Sequence, residues 1–197
     1  MSPRRTQAER SAGTTAELLA HATAAFGADG YDRVSIDVVA VAAGVTKGAI
    51  YHHFGGKREL FLAVYAAAHA HIAHRVTEAV TAADPGWPQL EAGTAEFLAA
   101  VAEPHPQRIV VVDGPRVLDR PTIRDIEERH AAGLLRRAFT RLREAGETTA
   151  GDDALRTRLV IGALCEAATT ITESADPARA LAVARAEVFH LLSGLRA

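Results

Sequence analysis

At 197 residues, 48% apolar and 23% charged, the chain is long enough for one or two small domains with a buried core and too apolar to be disordered. A formal charge of −2 excludes a uniformly basic nucleic-acid coat protein, and a single cysteine, Cys165, excludes a disulfide scaffold and points to a reducing compartment. Alanine makes up about a fifth of the chain and aromatics 5%, a mix that favours helices over strands.

Residues 1–12 are polar, with Arg4, Arg5 and Arg10 forming either an arm that tracks a polyanion or a soluble tail. Arg4 and Arg5 precede a polar stretch where an export signal needs an apolar run. A helix is predicted over 14–28, with Leu18, Leu19, Ala22, Ala25 and Phe26 on one face and Gly27 and Gly30 ending it. Ser35 caps a short helix that carries Ile36, Val39, Ala40 and Ala43 inward, and Asp37 sits in its first turn. Gly44 stops that helix, and Thr46 caps another that carries Ile50, Tyr51 and Phe54 until Gly55 and Gly56. Short helix, glycine-containing turn, short helix is the helix-turn-helix pattern.

A long helix follows over 57–82, with Phe61, Tyr65, Ala68, Ile72 and Val76 in one stripe. Its most apolar window, 62–73, is interrupted by His69 and His71 and is too short to span a bilayer. A cytoplasmic protein without membrane contact is expected. Further helices are predicted over 88–102, 122–145, 152–174 and 177–194. Thr122 with Asp125 resembles a capping box for the second of these. Residues 107–118 have strand propensity but no partner strand, so a short buried helix is expected there. Residues 1–60 net +1 and the remainder −3, and both lysines of the chain, Lys47 and Lys57, lie within this first part.

The run from Val34 to Phe61, with its Ala-Gly-Val-Thr-Lys-Gly turn and Tyr-His-His-Phe segment, resembles the DNA-binding signature of the tetracycline-repressor (TetR) family of transcriptional regulators. The resemblance covers residues 15–62. It implies an all-α protein: an N-terminal three-helix helix-turn-helix domain over 1–56, then a larger helical effector-binding and dimerisation domain over 57–197. It also implies a homodimer on a palindromic double-stranded DNA operator, released by a small-molecule effector. The DNA-binding residues it implies are Ser35, Thr46, Lys47, Gly48, Tyr51, His52 and Lys57. Physics supports them, because a recognition helix presents its N-terminal residues to bases while amides and cations hold phosphates. Lys47 and Lys57 would otherwise read as solvated surface charges, Phe54 as core and His53 as structural.

From Leu159 to Ile171 the only charge is Glu166, so this helix must be covered on more than one side. In the last helix Leu181, Ala184, Val188, Leu191, Leu192 and Leu195 form a stripe with Val183 and Phe189 off it. Both features fit a homodimer through the last two helices, which the resemblance also implies; the alternative is a monomer with extensive cover within the chain. Glu166 pairs with an arginine or contacts a ligand, and Cys165 reads as a buried small residue. The resemblance places an effector pocket against the fourth helix, with Tyr65, His69, Phe97, His105, Arg108 and Glu166 as its candidate lining. His71 and His74 stand at i,i+3 spacing without a third metal ligand, so no metal and no cofactor are expected. No nucleophile elbow, P-loop or dinucleotide fingerprint occurs, and the chain is read as no enzyme. The alternatives are a small helical metal-dependent enzyme and a helical protein-interaction module.

Overall fold

The computed structural model describes residues 7–197. Arg4 and Arg5 lie outside the described residues, as does the Arg10 side chain. The architecture is all-α: among the described residues there is no strand, only an isolated antiparallel bridge between Thr148 and Arg196.

Helix α1 (Gln7–Asp29) begins earlier than predicted and buries Leu18, Ala22 and Phe26 completely. Gly27 lies within it, and the chain turns instead at Gly30. Gly30 has φ +82°, and a Cβ there would collide with the Arg108 guanidinium, so both conformation and space call for glycine. Helices α2 (Ile36–Ala42) and α3 (Lys47–Phe54) are capped as expected. Ser35 Oγ accepts from Val38 N–H and Thr46 Oγ1 from Ala49 N–H, each at 3.2 Å. Gly44, at φ +65°, makes the turn that sets the two helices at an angle.

Helix α4 (Lys57–Ala82) runs through two cores. Its first half gives Leu60, Phe61, Val64 and Tyr65 to a core shared with α1, α2 and α3. Its second half gives Ile72 and Val76 to another core, shared with α5 (Trp87–Val101), α10 (Asp153–Glu173) and α11 (Pro177–Ser193). Each large apolar side chain so buried contributes about 1.5–3 kcal/mol.

Between α5 and α10 the structure departs from the expectation twice. Residues 104–117 form three short pieces: α6 (Pro104–Pro106), a π-helical segment (Gln107–Asp113) and α7 (Gly114–Val117). The wide winding of the middle piece splits its apolar run: Ile109 joins the first core, Val111 packs on the second, and Val110 touches both. The helix predicted over 122–145 is two helices, α8 (Arg120–Arg129) and α9 (Ala131–Glu144), broken at His130 (φ −119°, ψ −107°). The break lets Ile126 enter the first core while Leu135, Phe139 and Leu142 enter the second. Asp119, not Thr122, caps α8, accepting the Thr122 N–H at 2.9 Å. Asp152 and Asp176 cap α10 and α11 in the same way.

Candidate nucleic-acid interface and the apolar cavity behind it

Helix α3 is held from below by Ile50, which is fully buried, with Phe54 partly buried in the same core. Above that anchor, Thr46, Lys47, Gly48, Tyr51 and His52 are all exposed. A Cβ on Gly48 would find only Thr46 Oγ1, at 3.8 Å. Among the described residues nothing therefore requires glycine at this position. Tyr51 is 48% exposed, a large ring left in water on the outer side of α3. His53 points inward enough for its Nδ1 to share a hydrogen bond with Thr15 Oγ1 at 3.3 Å, which gives it a structural role.

Lys47 Nζ donates to Asp37 at 2.9 Å, tying the start of α3 to the start of α2. That hydrogen bond holds its ammonium above the ordinary lysine value. Lys57 stands at the first turn of α4 with its ammonium 4.3 Å above the Tyr31 ring, a cation–π contact. Tyr31 stacks on Phe26 at 5.9 Å and meets Phe61 edge-on at 5.1 Å, so the cation rests on a rigid aromatic floor. Ser35 is exposed at the N-terminus of α2. These residues bring together polar side chains, helix N-termini and two cations, the composition that phosphate and base-edge contacts need.

Sequence reasoning missed three contributors. Val38 and Val41 on α2 are 51% and 83% exposed beside this surface; their signal was available, as valines off the inward stripe. Asp113 is the third. It is 2% exposed and accepts the Tyr31 N–H at 2.8 Å and Arg108 Nε at 3.2 Å through one carboxylate oxygen. Arg116 reaches its other oxygen at 3.8 Å and Asp32 at 3.3 Å. The end of the π-helical segment thus grips the loop between α1 and α2. No local spacing announces a contact between residues 82 positions apart.

Behind the second core lies a cavity of about 430 Å³, within the roughly 300–1,000 Å³ span of small-molecule sites. Helix α4 contributes Val76, Thr77 and Val80; α5 contributes Leu90, Gly93, Thr94 and Phe97; α9 contributes Leu134, Leu135, Ala138 and Leu142; α10 contributes Ile161 and Leu164. Of the six predicted pocket residues, Phe97 alone lines it. Tyr65 and His69 are buried nearer the first core, ring against ring at 4.6 Å. His105 lies against Gly27, and Arg108 pairs with Asp113. Glu166 is exposed on α10. The break at His130 brings a second ring over His69 at 6.5 Å. Burial first, and His130 second, push the His69 imidazole down to about 4, and among the described residues neither ring nitrogen has a hydrogen-bond partner.

The outer faces of α10 and α11 stay open. Leu155, Leu159, Val183 and Leu191 are 53–65% exposed. Leu191 therefore leaves the inward stripe assigned to it, and Cys165, expected to be buried, is exposed. Among the described residues no group of three or more His, Cys, Asp or Glu could hold a metal ion. Nor is any described helix long and apolar enough to cross a membrane.

Residues 18–64 match the family described as bacterial regulatory proteins, tetR family, and residues 87–195 match the tetracyclin repressor-like C-terminal domain. The HTH-type transcriptional regulator CymR of Pseudomonas putida is 48% identical over 66 residues, 33% of this chain and 32% of that protein. The HTH-type transcriptional repressor AcnR of Corynebacterium efficiens is 39% identical over 62 residues, 32% of this chain and 33% of that protein. These alignments thus take in about a third of each curated relative. A crystal structure of a TetR-family transcriptional regulator from Pectobacterium atrosepticum superposes with a TM-score of 0.83 at 32% identity, covering 98% of both chains.

Proposed function

The chain belongs to the TetR family of transcriptional regulators, DNA-binding proteins that are not enzymes, and from that premise we propose that it is a homodimeric repressor released from a palindromic operator by a small molecule. The observation that carries this reading is the α3 surface. Its reading residues, Thr46, Lys47, Gly48, Tyr51 and His52, stand in solvent on a helix anchored by buried Ile50, with Ser35 and Lys57 at adjacent helix starts. In a dimer two such helices enter successive major grooves about 34–36 Å apart. Lys57 grips a phosphate, and Tyr51 and His52 reach bases or backbone. Residues 1–56 act as the reading domain and 57–197 as the receptor and dimerisation domain.

The second copy docks on the open faces of α10 and α11, where Leu155, Leu159, Val183 and Leu191 are otherwise uncovered. The effector occupies the cavity between α4, α5, α9 and α10. Val110 and Val111 of the π-helical segment pack on that core, and Asp113 at its end holds Tyr31 of the reading domain. Occupancy therefore biases the position of α1–α3 through one continuous segment. The ligand must bind the released form more tightly than the DNA-bound one, since equal affinity shifts nothing.

Selection of bound duplexes from random DNA tests the reading. A palindrome is expected, with binding lost in Tyr51→Ala and the salt slope reduced by about one unit in Lys57→Ala. Enrichment of no sequence would sink the operator assignment, and a monomeric mass in sedimentation at micromolar protein would sink the dimer.

A further inference from the structure

The chemistry of the cavity is uneven. Its depth is walled by Val76, Leu90, Phe97, Leu135 and Leu164. The polar side chains that reach this wall are already engaged. Thr77 Oγ1 donates to the Ala73 carbonyl at 2.8 Å, Thr94 Oγ1 to that of Leu90 at 2.9 Å, and Gln89 Nε2 to that of Val80 at 3.1 Å. A charged or strongly accepting ligand group placed in the depth would lose its water and find both threonine hydroxyl protons already committed, with the second Nε2 proton of Gln89 the one side-chain donor left among the described residues lining it.

Charge sits at the rim. Arg137 and Arg141 line the cavity one helical turn apart on α9, and both are exposed. Their neighbours on the same helix are paired, Arg136 with Glu128 and Arg143 with Asp153. No ion pair joins Arg137 or Arg141 to an acid among the described residues. Glu147 is the one acidic residue on the lining, and its carboxylate lies against Gly86. The rim therefore presents two guanidinium groups against one carboxylate, above a wall that is almost wholly hydrocarbon.

We propose that the cavity takes an amphipathic anion, an apolar chain or ring system seated in the depth with a single carboxylate held at the rim by Arg137 and Arg141. Guanidinium suits that head group, because its planar fork matches a carboxylate and keeps its charge at any working pH. The volume, about 430 Å³, lies in the lower half of the roughly 300–1,000 Å³ span of small-molecule sites and suits a medium-length chain or a two-ring system. This assignment rests on the reading of the cavity as the effector site and adds the chemical class of the effector.

Calorimetric titration of the full chain with octanoate, 2-naphthoate and 1-octanol tests it. The expected result is that at least one acid binds tenfold or more tightly than the alcohol, and which acid does so separates a chain from a ring occupant. In Arg137→Gln/Arg141→Gln the affinity for that acid falls at least tenfold, while the affinity for 1-octanol stays within twofold. Both arginines are exposed, so this variant keeps its fold. Ala138→Phe, which fills the cavity, abolishes binding of all three probes. An alcohol that binds as tightly as both acids, or acids indifferent to the double substitution, overturns the anionic head group and leaves the effector site standing. Binding that survives Ala138→Phe, or no binding by any probe, overturns both.

Discussion

Around Ile50 and Phe61 the chain leaves no room. Phe26, Phe61, Ile50 and Leu60 are all fully buried, and Tyr31 closes the edge of the aromatic cluster at 5.1 Å from Phe61. Around Phe97 and Leu164, three helical turns or more along α4, about 430 Å³ stands open. Both regions use the same kinds of side chain, so the difference lies in arrangement. A surface that must hold several side chains in register with a duplex needs a floor that does not yield, and close packing supplies it. A receptor needs vacancy, and forgoes the contacts that would have filled it. Under the function proposed above, one chain meets both demands by keeping two cores.

Truncating one aromatic in each core gives the largest expected effects. Phe61→Ala should cost about 3–5 kcal/mol in urea unfolding, the usual price for a fully enclosed phenyl ring. Phe97→Ala should cost less, because part of its ring already faces the cavity. Equal costs would erase the contrast between the cores.

Histidine 69 lies where the two cores meet, and it offers the next test. Folded, it stays neutral down to about pH 4, whereas in the unfolded chain it takes up a proton near 6.5. The unfolded state therefore binds more protons between those values, and stability falls as the pH drops from about 6.5 to 4. The full span is worth about 3 kcal/mol. His69→Leu should flatten that slope in chemical denaturation; a wild-type chain with no slope attributable to this residue would show that it charges in place.

The grip of Asp113 links the cores. Asp113→Ala should cost about 1–3 kcal/mol by stranding the Tyr31 amide and the Arg108 guanidinium. It should also reduce the effect of effector on operator affinity, measured by fluorescence anisotropy. Undiminished coupling would route the signal elsewhere. The smallest effect runs the other way. Ala138→Leu fills part of the cavity and should stabilise by about 0.5–2 kcal/mol, and a destabilised variant would mean that the wall around Ala138 is already close-packed.

The parts of this molecule visible in its sequence are those decided over a few residues. Ser35 and Thr46 were readable as caps because a cap needs only an oxygen two or three positions before an orphan amide. Gly44 was readable as a turn, and Ile50 as an anchor, by the same local reasoning. The remainder depends on distant partners. The apolar run Ile109–Val112 has strand propensity but no partner strand, so a short buried helix is the sequence expectation; its π-helical winding, which sends side chains to a core on either side, has no local signal. The split at His130 lies inside a continuous helical pattern, and it exists because Ile126 and Phe139 belong to different cores. The cavity depends on distant partners in the same way. The candidates read from the sequence are polar and aromatic side chains, while apart from Phe97 the apolar wall is made of valines, leucines, alanines and an isoleucine whose spacing marks them only as core.

Helix α4 carries one more consequence. Its 26 residues run unbroken from Lys57 to Ala82, and at 1.5 Å per residue they form a rod about 39 Å long. Its far end walls the cavity through Val76 and Val80, and its near end carries Lys57. A tilt of about 5° about the far end carries the near end about 3 Å along its arc, close to the 3.4 Å step between stacked base pairs. In a symmetric pair the two arcs add. In the homodimer proposed above, a rearrangement at the cavity no larger than a side chain would thus be enough, by leverage alone, to put two reading helices out of step with the turn of a duplex.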